Sequence, residues 1–201
     1  MNKKNQLNKG ILVLFLVFFG MYNAQSQVRF QPGFRGGANF SHFTKGDYYY
    51  YDDSSDTRRD DNYSSITNFY LGFYAGLKLT KYYTLQPEIN YSAQGSDYSS
   101  VAGNRNLKVD YLCLQMMNKF TFTDKFNLHV GPTLEFVVDK NFDVDADVDL
   151  AFVLGAGVNF TRNLGVELRV KKGIVPVIDF SDSNHTNVVF SVGATYTFDT
   201  K

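Results

Sequence analysis

The sequence predicts an all-β fold, an eight-stranded antiparallel up-and-down transmembrane β-barrel. Between residues 69 and 94, apolar or aromatic side chains take every second position, which is the period of a strand with two unlike faces. Short connections between such segments alternate with long polar ones, as they do in transmembrane barrels. The polar faces carry ionisable residues of both signs, which suits the interior of a barrel better than its lipid-facing wall.

Residues 1–26 are predicted to be a signal peptide that is removed on export. Basic residues precede the apolar run 11–19, and Ala24 and Ser26 form a small-x-small cleavage pattern. The apolar run is about half the length of the roughly 20 residues that a membrane-spanning helix needs. Cleavage after Ala24 and cleavage after Ser26 both fit this pattern. Residues 27–201 are then expected to form one barrel domain.

Eight strands are predicted, each with one apolar and one polar face. They cover residues 33–43, 69–79, 84–94, 107–122, 126–138, 150–160, 164–171 and 187–198. Three tight connections share a threonine and follow residues 79, 122 and 160. Four long polar connections cover residues 44–66, 95–106, 139–149 and 172–186. Strands of this length, tilted near 45°, match the hydrocarbon thickness of a bilayer.

Alternation alone is compatible with two assignments of the strand faces. A soluble carrier barrel would turn its apolar side chains inward, whereas a membrane barrel turns them outward to lipid. The export signal and the unequal connections favour the membrane barrel. So does a girdle of aromatic residues at the short-turn end, which comprises Tyr82, Tyr83, Phe122, Phe126, Phe160 and Phe198.

The outward assignment places the charged residues of the strands in the lumen. An eight-stranded barrel is just wide enough to be filled by side chains, so these charges must pair with one another. Three acids and four bases form a nearly balanced set. The predicted lumen charge network is Arg35, Lys78, Glu88, Lys119, Glu135, Glu167 and Arg169.

The last strand resembles the C-terminal signal by which barrel-assembly machinery recognises outer-membrane barrels. The residues that carry this resemblance are Ser191, Gly193, Tyr196 and Phe198.

The mature chain as a whole resembles the PorT-like family of small bacterial outer-membrane barrels. The matching segments are GFRGGANFS at 33–41, LQPEINYSAQG at 85–95, Tyr111-Leu112 with Lys119, Gly131-Pro132, GAGVNF at 155–160, and 164–169 with Gly173. Gln115 departs from the pattern, because relatives often have Pro there. The resemblance implies an eight-stranded outer-membrane barrel. The family's namesake is tied to a protein-secretion system, a role that no motif in this chain carries.

Candidate chemistry is sparse. A lipid-modifying enzyme would need Ser, His and a carboxylate together, and the available groups are His42, His129 and His185 with Ser41, Ser181 and Ser183. Hydrated loop histidines are the favoured interpretation. The alternating acids Asp143, Asp145, Asp147 and Asp149 lack the glycine and terminal glutamate of a calcium loop, so a strand with an acidic side in water is favoured. Cys113 is expected to be a small lumen residue.

The expected role is therefore non-catalytic, without cofactor or metal. The protein would serve envelope structure or surface-loop interaction, with the tyrosine run Tyr48, Tyr49, Tyr50 and Tyr51 as a contact patch. The alternatives are an accessory of a secretion system, a lipid-modifying enzyme and a soluble periplasmic carrier. Equal numbers of acids and bases give no sign of nucleic-acid binding. The expected partners are outer-membrane lipid and the barrel-assembly machinery, with envelope or secretion proteins as further candidates. The chain is expected to be a monomer whose termini face the periplasm.

Overall fold

The computed structural model describes residues 28–44, 62–100, 103–144, 146–175, 178–180 and 183–199. The predicted signal peptide, the tyrosine run 48–51, Asp145 and Ser181 lie outside the described residues. In the part of the chain that is described, no helix is long and apolar enough to span a bilayer.

The described residues form ten β-strands. They are β1 (Arg29–Phe43), β2 (Asn62–Lys78), β3 (Tyr83–Ser100), β4 (Gly103–Thr121), β5 (Phe126–Lys140), β6 (Val148–Asn159), β7 (Leu164–Gly173), β8 (Ile178–Phe180), β9 (Ser183–His185) and β10 (Asn187–Thr197). Eight of them close into a barrel in the order β1-β10-β7-β6-β5-β4-β3-β2, and every neighbouring pair is antiparallel. The predicted eight-stranded up-and-down barrel is confirmed. Strands β8 and β9 form a separate two-stranded hairpin.

The two faces of the barrel wall have opposite chemistry. In β7, exposed and buried residues alternate without a break from Leu164 to Gly173. The outward parity is apolar, so Leu154 is 60% exposed, whereas the inward parity is polar and Glu135 is fully buried. A water-soluble barrel would show the reverse arrangement, because burying apolar side chains away from water is favourable. The wall therefore suits an apolar solvent on the outside.

The three tight turns have one construction. The hydroxyl oxygen of Thr80 accepts hydrogen bonds from the backbone N–H groups of Tyr82 and Tyr83, at 3.2 and 3.0 Å. Thr123 and Thr161 make the same two bonds at their own turns. Threonine recurs in the sequence because its side chain satisfies the two backbone donors that the turn leaves free.

One predicted loop is in fact strand. Residues 95–100 and 103–106 belong to a long pair of strands, because β3 continues to Ser100 and β4 begins at Gly103, while β2 begins at Asn62 rather than at residue 69. Both faces of such an extension meet water, so no apolar–polar alternation marks it in the sequence. Gly95 lies where the extension begins, and its φ of 148° is favourable only for glycine.

The acidic segment is not a strand with one acidic side. Strand β6 begins only at Val148, and Asp149 is buried on the lumen face, where it accepts a hydrogen bond from the backbone N–H of Val175 at 3.3 Å. Asp147 is exposed and pairs with Lys140 at 3.0 Å. The prediction of an acidic strand face was therefore wrong, because Asp149 takes the inward parity of the barrel whereas Asp147 lies in the loop before it.

An apolar cluster fills the lumen near the long-loop end. Its buried members are Phe43, Val109, Tyr111 and Cys113, and Phe142 and Val144 from the loop after β5 pack against them. The ring centroids of Phe43 and Phe142 are 6.0 Å apart. The sequence analysis placed Cys113 in the lumen but did not predict this cluster, because Phe142 and Val144 come from a segment assigned to a polar loop and the inward positions of the strands were expected to be polar.

Candidate functional site

Four of the predicted network residues meet at one level of the lumen. Arg169 binds Glu88 with two parallel hydrogen bonds, each of 2.9 Å, and its Nη2 also lies 3.0 Å from Glu167. Arg35 donates through Nη1 to Glu88 at 2.8 Å and pairs through Nη2 with Glu167. All four residues are buried. We call Arg35, Glu88, Glu167 and Arg169 the charged layer.

The charged layer depends on small residues in the facing strands. Gly193 lies opposite Glu167 in the register of β10 and β7. A side chain at Gly193 would overlap the hydroxyl group of Tyr70. That hydroxyl donates to Glu167 Oε1 at 3.2 Å, and the Tyr70 ring lies 4.6 Å beneath the Arg35 guanidinium. The glycine therefore makes room for the tyrosine that supports both charges.

Neutral amides complete the coordination of Glu88. Gln86 donates to Oε1 at 2.8 Å, and Asn90 donates to Oε2 at 3.3 Å. The side-chain oxygen of Gln115 accepts from Arg169 Nη1 at 3.1 Å. Gln115, the position at which the chain departs from PorT-like relatives, is thus a hydrogen-bond partner of the charged layer. Buried charges are stable only when paired and hydrogen-bonded in this way.

Glu135 belongs to a second, separate pair. Lys171 donates to both of its carboxylate oxygens, at 2.7 and 2.5 Å, and Thr133 donates to Oε1 at 3.3 Å. Lys171 also lies 5.7 Å over the ring of Tyr111. The predicted network omitted Lys171, because it stands at the end of the strand and next to Lys172, where a loop was expected. Its inward parity was the signal that could have identified it.

Lys78 and Lys119 do not join the charged layer. Neither forms an ion pair within 4.0 Å among the described residues, and both line a cavity of about 840 Å³ at the short-turn end. Lys119 lies opposite Thr84, two inward positions closer to the turns than Glu88. The seven predicted residues are therefore divided among the charged layer, the Glu135–Lys171 pair and this cavity, because each barrel level brings together only its own residues.

Among the residues whose side chains are described, neither His42 nor His129 forms a hydrogen bond with a serine. The side chains of Ser183 and His185 are not among them. His129 is buried in the lumen, where its Nδ1 lies 3.4 Å from the side-chain oxygen of Asn127. His42, in contrast, lies on the outward face of β1. Ser41 is occupied by two hydrogen bonds of 2.9 Å to the backbone of Gly95. Within the described ranges, no three His, Cys, Asp or Glu side chains could hold a metal ion.

The residues of the predicted assembly signal have structural partners in the wall. Phe198 contacts Phe34 and Tyr196 on the outer face, with ring centroids 5.9 and 5.6 Å apart. Ser191 points inward and donates to the side-chain oxygen of Asn39 at 2.7 Å. These positions therefore close the barrel between its first and last strands, and their recognition by assembly machinery stays a prediction.

Comparison with known proteins agrees with this architecture. Neisserial surface protein A has 12% sequence identity and a TM-score of 0.51, covering 83% of this chain and 97% of that one. OprG from Pseudomonas aeruginosa has 13% identity and a TM-score of 0.50, covering 89% and 100%. At such identities the likeness shows the fold alone, and no curated protein sequence matches the chain.

The family assignment comes from the sequence rather than from these structures. A family model described as "Outer membrane protein beta-barrel domain" matches residues 11–198. This match spans nearly the whole chain and agrees with the closed barrel and its apolar outer face. The protein belongs to the outer membrane protein beta-barrel domain family.

Proposed function

We propose that this outer-membrane protein is a non-catalytic barrel that closes its own lumen and serves envelope structure or surface-loop interaction. The observation that carries this proposal is the charged layer, which crosses the barrel from β1 and β3 to β7 with every member buried. Its two acids and two bases balance, so it forms a neutral, tightly bonded partition rather than a reactive site.

Two further features support a closed lumen. The cavity beside the charged layer holds only about 30 Å³, which is far too small for a solute. On the long-loop side, the apolar cluster around Tyr111 covers the Glu135–Lys171 pair. An ion would have to break buried salt bridges and then pass apolar side chains, both of which oppose its entry.

The described surface that best suits a partner is the extension formed by β2, β3 and β4. From Gly95 to Ser100 it runs about 17 Å at the rise of a strand. The side chain of Asn141 covers one edge by bonding the backbone of Lys108 and Asn106, each at 2.8 Å. The proposed tyrosine contact at 48–51 lies in the sequence between β1 and β2.

We further propose the narrower PorT-like assignment, which is supported by the resemblance of segments such as 33–41, 85–95 and 155–160 to that family. We also propose, from the sequence patterns themselves, that a signal peptide within residues 1–26 is removed, that the protein is a monomer assembled by the barrel machinery, and that both termini lie on the periplasmic side. The last proposal is supported by the position of both barrel ends near the short turns, as is usual for such barrels. A role as a secretion accessory rests on the family resemblance alone.

A closed lumen predicts that the protein does not conduct ions. The purified, folded protein inserted into planar bilayers should give no stable current steps under conditions in which a sixteen-stranded porin conducts. Insertion should be verified independently by the altered gel mobility of unheated protein from the same bilayer preparation. Regular ohmic steps from the intact protein would contradict the proposed function.

A further inference from the structure

We propose that the short-turn mouth of the barrel binds a small ligand that carries a phosphate or phosphoryl group. This inference goes beyond the structural role proposed above and uses none of the charged-layer residues. The mouth contains a cavity of about 840 Å³, which lies within the usual range of small-molecule sites. We call it the basic vestibule.

The lining of the basic vestibule is strongly cationic. Its bases are Arg29, Lys78, Lys81, Lys119 and Arg162, whereas its acids are only Asp124 and Asp199. The whole chain, in contrast, has 20 bases and 20 acids. Positive charge is therefore concentrated at this end of the lumen rather than inherited from the overall composition.

The strand register makes this concentration unfavourable without a counter-ion. Arg29 lies directly opposite Lys78, Lys78 opposite Thr84, and Thr84 opposite Lys119. All four take the inward parity of their strands and line the vestibule. Like charges directly opposite each other destabilise a sheet. The stability of the fold therefore does not explain why three basic residues share this row of the sheet.

The neighbouring acids are already neutralised. Glu88 and Glu167 are matched by Arg35 and Arg169, and Glu135 is matched by Lys171. Among the described residues, Arg29, Lys78 and Lys119 form no ion pair within 4.0 Å. An oxyanion in the vestibule would supply the missing negative charge.

The chemistry of the lining favours phosphate over an apolar or cationic ligand. Ammonium and guanidinium groups make short, strong hydrogen bonds to phosphate oxygens. Thr84 and Gln86 add neutral polar groups at the inner end of the vestibule, next to the charged layer. The phosphate could belong to a soluble compound or to the headgroup of an anionic phospholipid in the adjacent leaflet. Lys81 and Arg162 lie in two of the short turns, where a soluble phosphate compound or a lipid headgroup would enter the vestibule.

The test separates these two sources. Folded protein in a zwitterionic detergent is titrated with inorganic phosphate, and binding is followed by ³¹P line broadening and by thermal unfolding. A second arm compares unfolding in nanodiscs of phosphatidylglycerol and of phosphatidylcholine. Lys78→Gln and Lys119→Gln are each expected to weaken binding about tenfold, the loss that corresponds to one charge-assisted hydrogen bond. Lys125→Gln is the matched control, because Lys125 lies in a turn at the same end but outside the vestibule lining.

Each outcome decides the proposal. Saturable phosphate binding that both vestibule variants weaken and Lys125→Gln preserves supports a soluble ligand, whereas stabilisation by phosphatidylglycerol alone with the same variant pattern supports a headgroup. Without ligand, Lys119→Gln should be at least as stable as the wild type, because a repulsive charge is removed. No binding in either arm, equal losses in all three variants, or a ligand-free Lys119→Gln protein that is clearly less stable would overturn the proposal.

Discussion

Replacing Glu88 with alanine is expected to cost about 3–5 kcal/mol of folding free energy, because it leaves two buried arginines with Glu167 as their one shared counter-charge. Glu88 accepts hydrogen bonds from four residues, Arg35, Arg169, Gln86 and Asn90. Its removal therefore leaves more hydrogen-bonding groups without their partner than the removal of any other member of the charged layer. The loss should appear as a lower urea midpoint for the protein folded in lipid vesicles, read from the mobility of unheated samples on gels.

The control for Glu88 is an ion pair of the same chemistry in water. Asp147 pairs with Lys140 at 3.0 Å, but its side chain is 78% exposed. Exposed pairs contribute only about 0–1 kcal/mol, so Asp147→Asn should leave the midpoint nearly unchanged. Equal midpoints for Glu88→Ala and Asp147→Asn would show that the charged layer does not hold the barrel together.

The second large effect is expected at Lys171, which the sequence analysis left out of the network. Lys171→Met should destabilise the fold by about 3–5 kcal/mol, because the fully buried Glu135 would lose the cation that pairs with both of its carboxylate oxygens. The double variant Lys171→Met with Glu135→Met should recover most of this loss, since a buried pair replaced by apolar side chains is often nearly neutral.

A double-mutant cycle measures this coupling directly. Urea midpoints are compared for the wild type, both single variants and the double variant under one lipid condition. Strong recovery in the double variant identifies the Glu135–Lys171 pair as the cause of the single-variant losses. Strictly additive losses would mean that the two side chains act independently and that their contact has no energetic role.

Side-chain direction could be predicted from the sequence because each strand separates two unlike environments. Glu88, Glu167 and Arg169 take the polar parity of strands whose other parity is apolar, and all three lie in the lumen. Partner choice could not be predicted in the same way. Glu88 and Arg169 are 81 residues apart, on β3 and β7, and they meet only because the sheet closes around a narrow lumen. The level of each side chain within the lumen depends on the strand register. This register places Lys78 and Lys119 closer to the short turns than the arginines of the charged layer.

The features that sequence analysis missed lie where a strand does not separate lipid from a polar lumen. Above the membrane-facing wall, β3 and β4 continue as a hairpin with water on both sides, so their residues look like a polar loop. At the same end, Phe43 and Phe142 turn inward to fill the barrel mouth. Phe43 keeps the inward parity of β1, so what fails there is the expectation that inward positions are polar, whereas Phe142 lies in a loop that has no strand alternation.

The most direct test of the central claim uses two neighbouring methionines on opposite faces of β4. Met116 is 44% exposed on the outer face, whereas Met117 is fully buried in the lumen, and the native chain contains no tryptophan. Single Met116→Trp and Met117→Trp variants are folded into vesicles with and without brominated phospholipid, and tryptophan fluorescence is measured. We expect strong quenching at position 116 and much weaker quenching at position 117. Stronger quenching at 117 than at 116 would contradict an apolar wall that contacts lipid around a charged interior.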